Sequence, residues 1–264
     1  DAYAGNSTTY PVKGPRQVHA LGIDIGGSGV KGAIVDVTSG QLTSDRHRIS
    51  TPDPSTPDAV IEVVLDVARF HEWSGPVGVT VPSVVMDGVV MTAANIDDGW
   101  IDFDAATALS EALGRDVVVL NDADAAGMAE VRHGAARDTS GVCIVLTFGT
   151  GIGSAIINDG VLVPNSELGH LHFRGMEAEH YAAGRLVKRE NMDIGWWSER
   201  VNELLQHIDL ILSPRTIVFG GGISKRFATI APHLRTRATV VPAQLRNNAG
   251  IVGAAMAATG REHT

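Results

Sequence analysis

The feature that most constrains this fold is a repeat. Residues 19–36, "HALGIDIGGSGVKGAIVD", read as a strand, a glycine turn and a second strand, and the same order returns at residues 143–160, "CIVLTFGTGIGSAIINDG". Ile25-Gly26-Gly27 matches Phe148-Gly149-Thr150, and Ala33-Ile34-Val35 matches Ala155-Ile156-Ile157, with the second turn one residue shorter. A period of a little over 120 residues is too long for a solenoid. It predicts two related domains, each opening with a glycine-turned hairpin. At 264 residues the chain is long enough for two such units, with a substantial core and no disulfide staples.

The remaining elements predict an α/β protein. A third strand is expected around "QLTSDRHRIS". The stretch "STPDAVIEVVLDVARFHEW" reads as a helix, with Thr56 as N-cap, Pro57 at its first position and a core stripe of Val60, Ile61, Val64, Val67 and Ala68. "GPVGVTVPS" is a buried strand and "GVVMTA" a short one. A helix from Asp104 stops at Gly114, and "DVVVL" is read as a strand buried on both faces, leading into the helix "ADAAGMAEVRHGA". After the second hairpin come helices near 176–190 and 198–212, the strand "TIVFGGG", a helix after Ser224, the strand "ATVVP" and a closing helix "AGIVGAAMAA".

Glycine permits positive φ and close approach of the backbone to a ligand. Successive backbone N–H groups in such a turn form a concavity for anions. Gly26, Gly27, Ser28 and Gly29 form one candidate phosphate clamp, and Gly149, Thr150, Gly151 and Gly153 the second. Gly220, Gly221 and Gly222 add a third turn after "TIVF". Neither a P-loop nor a dinucleotide fingerprint fits, because strand, not helix, follows each hairpin turn. Asp24 precedes the first turn, and a carboxylate beside phosphates makes most sense with Mg²⁺ between them. Its counterpart in the repeat is Thr147, so no symmetric metal site is implied. Lys31 is a candidate point charge for a phosphate.

A second cluster surrounds "VVVLNDADAAG". Asn121 and Asp122 fall between a strand and a helix, where α/β folds build their sites. Asp122 is a candidate general base, set against the helix-capping role that Asn and Asp also favour. Asp124 is read as a cap or surface residue. In "NSELGHLHF", Glu167, His170 and His172 suit either a metal, with His170 and His172 on one face of a strand, or hydrogen bonding to a polyol. Glu177 and Glu179 follow on a predicted helix, and spacing alone does not choose between them.

The net charge of −9 argues against general nucleic-acid binding, which needs a basic face, and leaves room for a local basic groove. The single cysteine, Cys143, rules out an internal disulfide and any multi-cysteine zinc site, and is read as a buried strand thiol. No apolar run reaches transmembrane length and no signal peptide is visible, so the expectation is a cytoplasmic protein without membrane contact.

In their order, "DIGGSGVKGAIVD", "AANIDDGW", "VVVLNDADAAGMAE", "LTFGTGIGSAIINDG", "ELGH", "IVFGGGIS" and "AGIVGAAMA" resemble the motifs of the ROK sugar kinases, over nearly the whole chain from about residue 17. The resemblance implies a duplicated actin-like (ribonuclease H-like) sugar kinase fold, two domains with an interdomain cleft. The expected division is a flexible leader at 1–16, a small domain of 17–122 closed by 247–264, and a large domain of 123–246. It implies Asp122 as catalytic base, with Asn95, Asn121, Glu167, His170 and Glu179 as sugar contacts, and the glycine turns as phosphate clamps. Many family members carry a cysteine-rich zinc loop after "ELGH". Here "LHFRGM" is short and lacks cysteine, so zinc is not expected and His170 must be held by another group. The short loop followed by "EAE" is similar to the polyphosphate-using branch. That implies a Mg²⁺-dependent hexokinase, monomeric or homodimeric, using inorganic polyphosphate or ATP to phosphorylate the 6-hydroxyl of glucose and mannose. The alternatives are an ATP-only kinase for fructose or an N-acetylated amino sugar, or a non-catalytic sugar-sensing regulator. About 16 polar residues precede the first hairpin, too few for the helix-turn-helix domain of the family's repressors. For the outer phosphates of a long donor, Lys225 and Arg226 are the best-placed cations in sequence.

Overall fold

The first hairpin is β1 (His19–Gly26) against β2 (Gly29–Asp36), antiparallel along their whole length, with Gly26 opposite Gly29. The structure is a computed structural model and describes residues 18–94 and 96–260. The expected leader at 1–16 and the candidate sugar contact Asn95 lie outside the described residues. Two short strands, β3 (Gln41–Leu42) and β4 (His47–Ile49), both pair with β2 where the sequence predicts one. On its other side β1 runs parallel to β5 (Val77–Val81). Three short strands, β6 (Val85–Met86), β7 (Val89–Val90) and β8 (Phe103–Asp104), form a small separate sheet. Strand β9 (Val117–Asn121) then returns parallel to β5. It is not buried on both faces as expected: side chains alternate between the faces of a strand, and Val118 is 40% exposed while Val117 and Val119 on the other face are buried.

Helix α1 (Pro57–Phe70) begins as its sequence dictates, with the Thr56 hydroxyl accepting from the Ala59 N–H and Val60, Val64, Val67 and Ala68 buried. Helix α2 (Ala105–Leu113) is capped by Asp104 and stopped by Gly114 at φ 65°. Helix α3 (Asp122–His133) leaves directly from the end of β9.

The second half rebuilds the first. Strands β10 (Val142–Phe148), β11 (Ile152–Asn158) and β12 (Val161–Val163) form the meander, followed by the small hairpin β13 (His172–Phe173) and β14 (Met176–Glu177). Then come α4 (Ala178–Ala182), α5 (Arg185–Arg189), α6 (Ile194–Leu212), β15 (Thr216–Gly220), α7 (Phe227–Ile230), β16 (Thr239–Pro242) and α8 (Ala249–Ala257). The two large sheets have the same order, β3-β2-β1-β5-β9 and β12-β11-β10-β15-β16, each antiparallel at its first two junctions and parallel at its last two. This is the duplicated actin-like arrangement. The turns reverse one expectation. Two residues, Gly27 and Ser28, connect β1 to β2, whereas three, Gly149 to Gly151, connect β10 to β11. The first hairpin keeps one more pair of strand residues, which hides the difference in a linear count.

Helix α8 packs on β1 and β5 and against α3, and α3 packs on β10 and β11, so the two helices lie back to back between the sheets. All nine residues of α8 are buried. Its backbone touches the sheet because Gly22 and Gly78 carry no side chain there: a Cβ on either would stand 1.9 Å from the carbonyl oxygen of Ile251 or Ala254. Gly253 likewise meets the Ala125 carbonyl of α3. Cys143 is the buried strand thiol the sequence predicts, and burial pushes its pKa up to about 11.

Candidate active site

A cavity of about 570 Å³ opens at the carboxyl ends of β1, β9 and β10, between the two halves. Asp24 stands on its floor because β1 pairs it with Lys31 on one side and Thr80 on the other. The Lys31 ammonium lies 2.9 Å from Asp24 Oδ2, and the Thr80 hydroxyl donates to Oδ1 at 3.0 Å. Lys31 therefore reaches the cavity already paired with a carboxylate.

Asn121 and Asp122 divide two roles that the sequence left open. Asn121 is the N-cap of α3: its Oδ1 accepts from the N–H groups of Ala123 and Asp124, and its Nδ2 donates to the Ser83 carbonyl at 3.0 Å. Asp122, at the first position of the helix, is not its cap and lines the cavity. Burial pushes its pKa up to about 7, the nearby Asp24 carboxylate adds to the rise, and the Ala123 N–H opposes it. A carboxyl poised near neutrality suits proton transfer from a hydroxyl. Asp124 is no surface residue. It is 3% exposed, its Oδ2 accepts from the Asn165 N–H at 2.7 Å, and burial pushes its pKa up to about 6.

Glu167, His170 and Glu179 line the same cavity. Burial raises the pKa of Glu167, His170 opposes this, and Glu179 adds to it. His170 closes a 3₁₀ turn at 168–170, not a strand shared with His172, which is exposed and outside the cavity. Its Nδ1 lies 3.2 Å from Glu177 Oε2. The two glutamates that spacing could not separate thus differ: Glu179 faces the cavity, and Glu177 holds His170.

Of the turn residues, Gly27, Ser28, Gly149, Thr150, Gly151, Gly153 and Gly221 line the cavity, whereas Gly26, Gly29, Gly220 and Gly222 do not. Gly29 sits under the Arg48 guanidinium, which holds the Ser28 carbonyl. Gly221, at φ 84°, packs against the Phe148 backbone where a Cβ would stand 2.4 Å from the carbonyl oxygen. Sequence reasoning missed Ser83, Thr92, Arg246 and Asn247 in the lining. Arg246, at φ 50°, makes no ion pair among the described residues, and its loop is fixed from behind by Glu130, which accepts from the N–H groups of Gln244 and Leu245. Lys225 and Arg226 are exposed beyond the third turn and outside the cavity.

A duplicated actin-like fold with a buried carboxyl and two glycine turns around one cleft defines a phosphotransferase architecture. The ROK family's sequence profile matches residues 20–184, and the chain belongs to the ROK family. It is 48% identical over 242 residues to the polyphosphate glucokinase of Mycobacterium tuberculosis, covering 91% of each chain. Among solved structures it is similar to the inorganic polyphosphate/ATP-glucomannokinase of Arthrobacter sp. strain KM, with a TM-score of 0.89, 45% identity and coverage of 92% of this chain and 99% of that one. A ROK family glucokinase from Streptomyces griseus, solved with glucose and AMPPNP, shares the fold at a TM-score of 0.80 and 24% identity, over 92% of this chain and 100% of that one.

Proposed function

We propose that the chain is a hexokinase that transfers a phosphoryl group from inorganic polyphosphate or ATP to the 6-hydroxyl of glucose, with mannose as a second acceptor. The observation that carries this reading is Asp122, a carboxyl held at about neutrality and opening into a cavity flanked by two glycine turns. The relatives named above support the acceptor and the donors. In the proposed reaction the sugar hydroxyl gives its proton to Asp122 as its oxygen bonds to phosphorus, and the bond from phosphorus to the rest of the donor breaks. Glu167, His170 and Glu179 hold the sugar hydroxyls. The amides of the turns at Gly27–Ser28 and Gly149–Gly151 hold phosphate oxygens, with most of the catalysis coming from positioning and charge neutralisation.

The cavity carries four carboxylates, Asp24, Asp122, Glu167 and Glu179, and the one lysine among them is paired. An anionic donor fits such a wall with a divalent cation between. Both oxygens of Asp24 have protein partners, so the donor set suits a Mg²⁺ held chiefly by phosphates and water, with Asp24 beside it. When bound, that ion neutralises charge on the transferred group. The enzyme is read as cytoplasmic, a monomer or homodimer, acting on neither nucleic acid nor membrane. Among the described residues, no helix is long and apolar enough to cross a membrane.

The test is a grid of ATP and polyphosphate against glucose, mannose, fructose and N-acetylmannosamine, read as hexose 6-phosphate formed. Turnover of glucose with both donors is expected. No turnover in any cell of the grid would make the protein a sugar-binding regulator, and turnover with ATP alone would make it a nucleotide-dependent kinase. Arg246 lines the cavity and Lys225 and Arg226 do not, which supports Arg246 as the contact for the outer phosphates. Arg246→Ala should raise the polyphosphate KM by roughly tenfold, the worth of one charge-assisted hydrogen bond, and the ATP KM less. The polyphosphate KM should also lose part of its salt dependence. Equal changes for both donors would remove Arg246 from the polyanion's path.

The segment after His170 has no cysteine, and His170 is held by Glu177. Chelator-washed protein should contain no stoichiometric zinc by elemental analysis. One zinc per chain would point to Glu177, Glu179 and His180, whose ligand atoms lie within 4.8 Å of one another.

A further inference from the structure

The acceptor end of the cavity is built from three separate parts of the chain: Ser83 and Val84 after β5, Asp122 at the start of α3, and Glu167 after β12. One residue outside the cavity lining ties all three. The side chain of Asn165 pairs with β6 as a neighbouring strand would: its Oδ1 accepts from the Val85 N–H at 3.0 Å and its Nδ2 donates to the Val85 carbonyl at 2.9 Å. Its backbone N–H donates to Asp124 on the first turn of α3. Asn165 holds φ 58°, in the left-handed region that Asn tolerates better than most residues. The chain then reaches Glu167 in two residues. Ser166 and Leu168, on either side of Glu167, are both fixed through the Ser154 hydroxyl, which donates to the Ser166 carbonyl and accepts from the Leu168 N–H. The backbone is thus gripped around Glu167, while the Glu167 carboxylate accepts no hydrogen bond among the described residues and is left for a ligand.

We propose that Asn165 is a positioning residue for the acceptor sugar: by bridging β6 to α3 it sets the separation between the Val84 wall and Glu167, and so governs sugar affinity without touching the sugar. The inference rests on the hexokinase reading. A side chain that only stabilised the fold would lower the melting temperature of a variant and leave its substrate constants alone. A positioning residue acts on the sugar and spares the donor, which binds at the other end of the cavity.

Asn165→Gly separates these cases. Glycine keeps the left-handed backbone and the N–H to Asp124 and loses both bonds to Val85. With two hydrogen bonds lost, hexose binding measured by calorimetry should weaken about tenfold, and the hexose KM should rise with it. The donor KM at saturating hexose should stay at the wild-type value, and most of kcat should be kept. Asn165→Asp keeps the acceptor for the Val85 N–H and loses the donor, and should move the hexose KM in the same direction by less. It carries the test if the glycine variant does not fold. Wild-type hexose affinity in a folded variant, or equal rises in both KM values, would overturn the proposal. Loss of folding in both variants would overturn it too, by showing that the bridge holds the fold and not the site. If the wild-type protein binds no hexose, the hexokinase reading fails first and this role with it.

Discussion

Asp122→Asn should lower kcat by about 10²–10⁴-fold, the usual contribution of a positioned general base, while hexose binding is retained. The amide keeps the shape of the carboxyl, and the cap of α3 is Asn121, so the helix start is not disturbed. In the wild-type enzyme kcat/KM should fall as pH drops through about 7, where Asp122 gains its proton. The same shift has a consequence for stability. The folded pKa lies above the ordinary 3.8, so the folded protein holds this proton more tightly than the unfolded chain. The stabilisation this gives is full below pH 4 and is lost as pH rises towards 7. The neutral amide carries no such dependence, so Asp122→Asn should melt higher than wild type at pH 8, with the advantage shrinking towards pH 4. Near wild-type kcat in the variant would place the base elsewhere. A melting difference independent of pH would show that Asp122 is not titrating out of its ordinary range.

Gly78→Ala should lower the melting temperature by roughly 10 °C, from an overpacking cost at the upper end of about 1–3 kcal/mol and a few degrees lost per kcal/mol in a chain of this size. The added Cβ would stand 1.9 Å from the Ala254 carbonyl oxygen, so α8 must lift off β5. Backbone cannot turn aside as a flexible side chain can. Lifting α8 also disturbs the site: a Cβ built on Gly250, in the first turn of α8, would lie 2.7 Å from Asp24 Oδ2, and Arg246 lies just before that helix. Activity should therefore fall at temperatures where the variant is still folded. Gly114→Ala is the control for a glycine of the other kind. There nothing lies within 4 Å of the new Cβ, and only the φ of 65° is strained. A Gly78 variant that melts no lower than the Gly114 variant would show that α8 has room to move.

Much of the architecture was legible because its signals are local. The cap at Thr56, the proline after it and the stripe of Val60, Val64 and Val67 act within one helix, and α1 forms where they place it. The two glycine hairpins were readable as a repeat because each strand–turn–strand unit is contiguous, and the shared strand order of the two sheets follows from it. Asp122 could be singled out as a carboxylate at a strand-to-helix junction. Its separation from the capping role of Asn121 needed the hydrogen bonds themselves.

What the sequence could not decide was set by partners far away along the chain. Lys31 reads as a candidate phosphate charge, and only the pairing of β1 with β2 shows its partner, Asp24. Asp124 reads as a surface cap until Asn165, 41 residues on, donates to it and the fold leaves it 3% exposed. Arg246 carries no motif, and only the loop held by Glu130, more than a hundred residues earlier, brings it to the cavity. Strand and helix periods, caps and turns were determined by the sequence alone because they depend on residues a few positions apart. Burial, ion pairing and the walls of the site were decided by the tertiary structure, because the field and the hydrogen-bond partners around each group come from whatever distant segments the fold packs beside it.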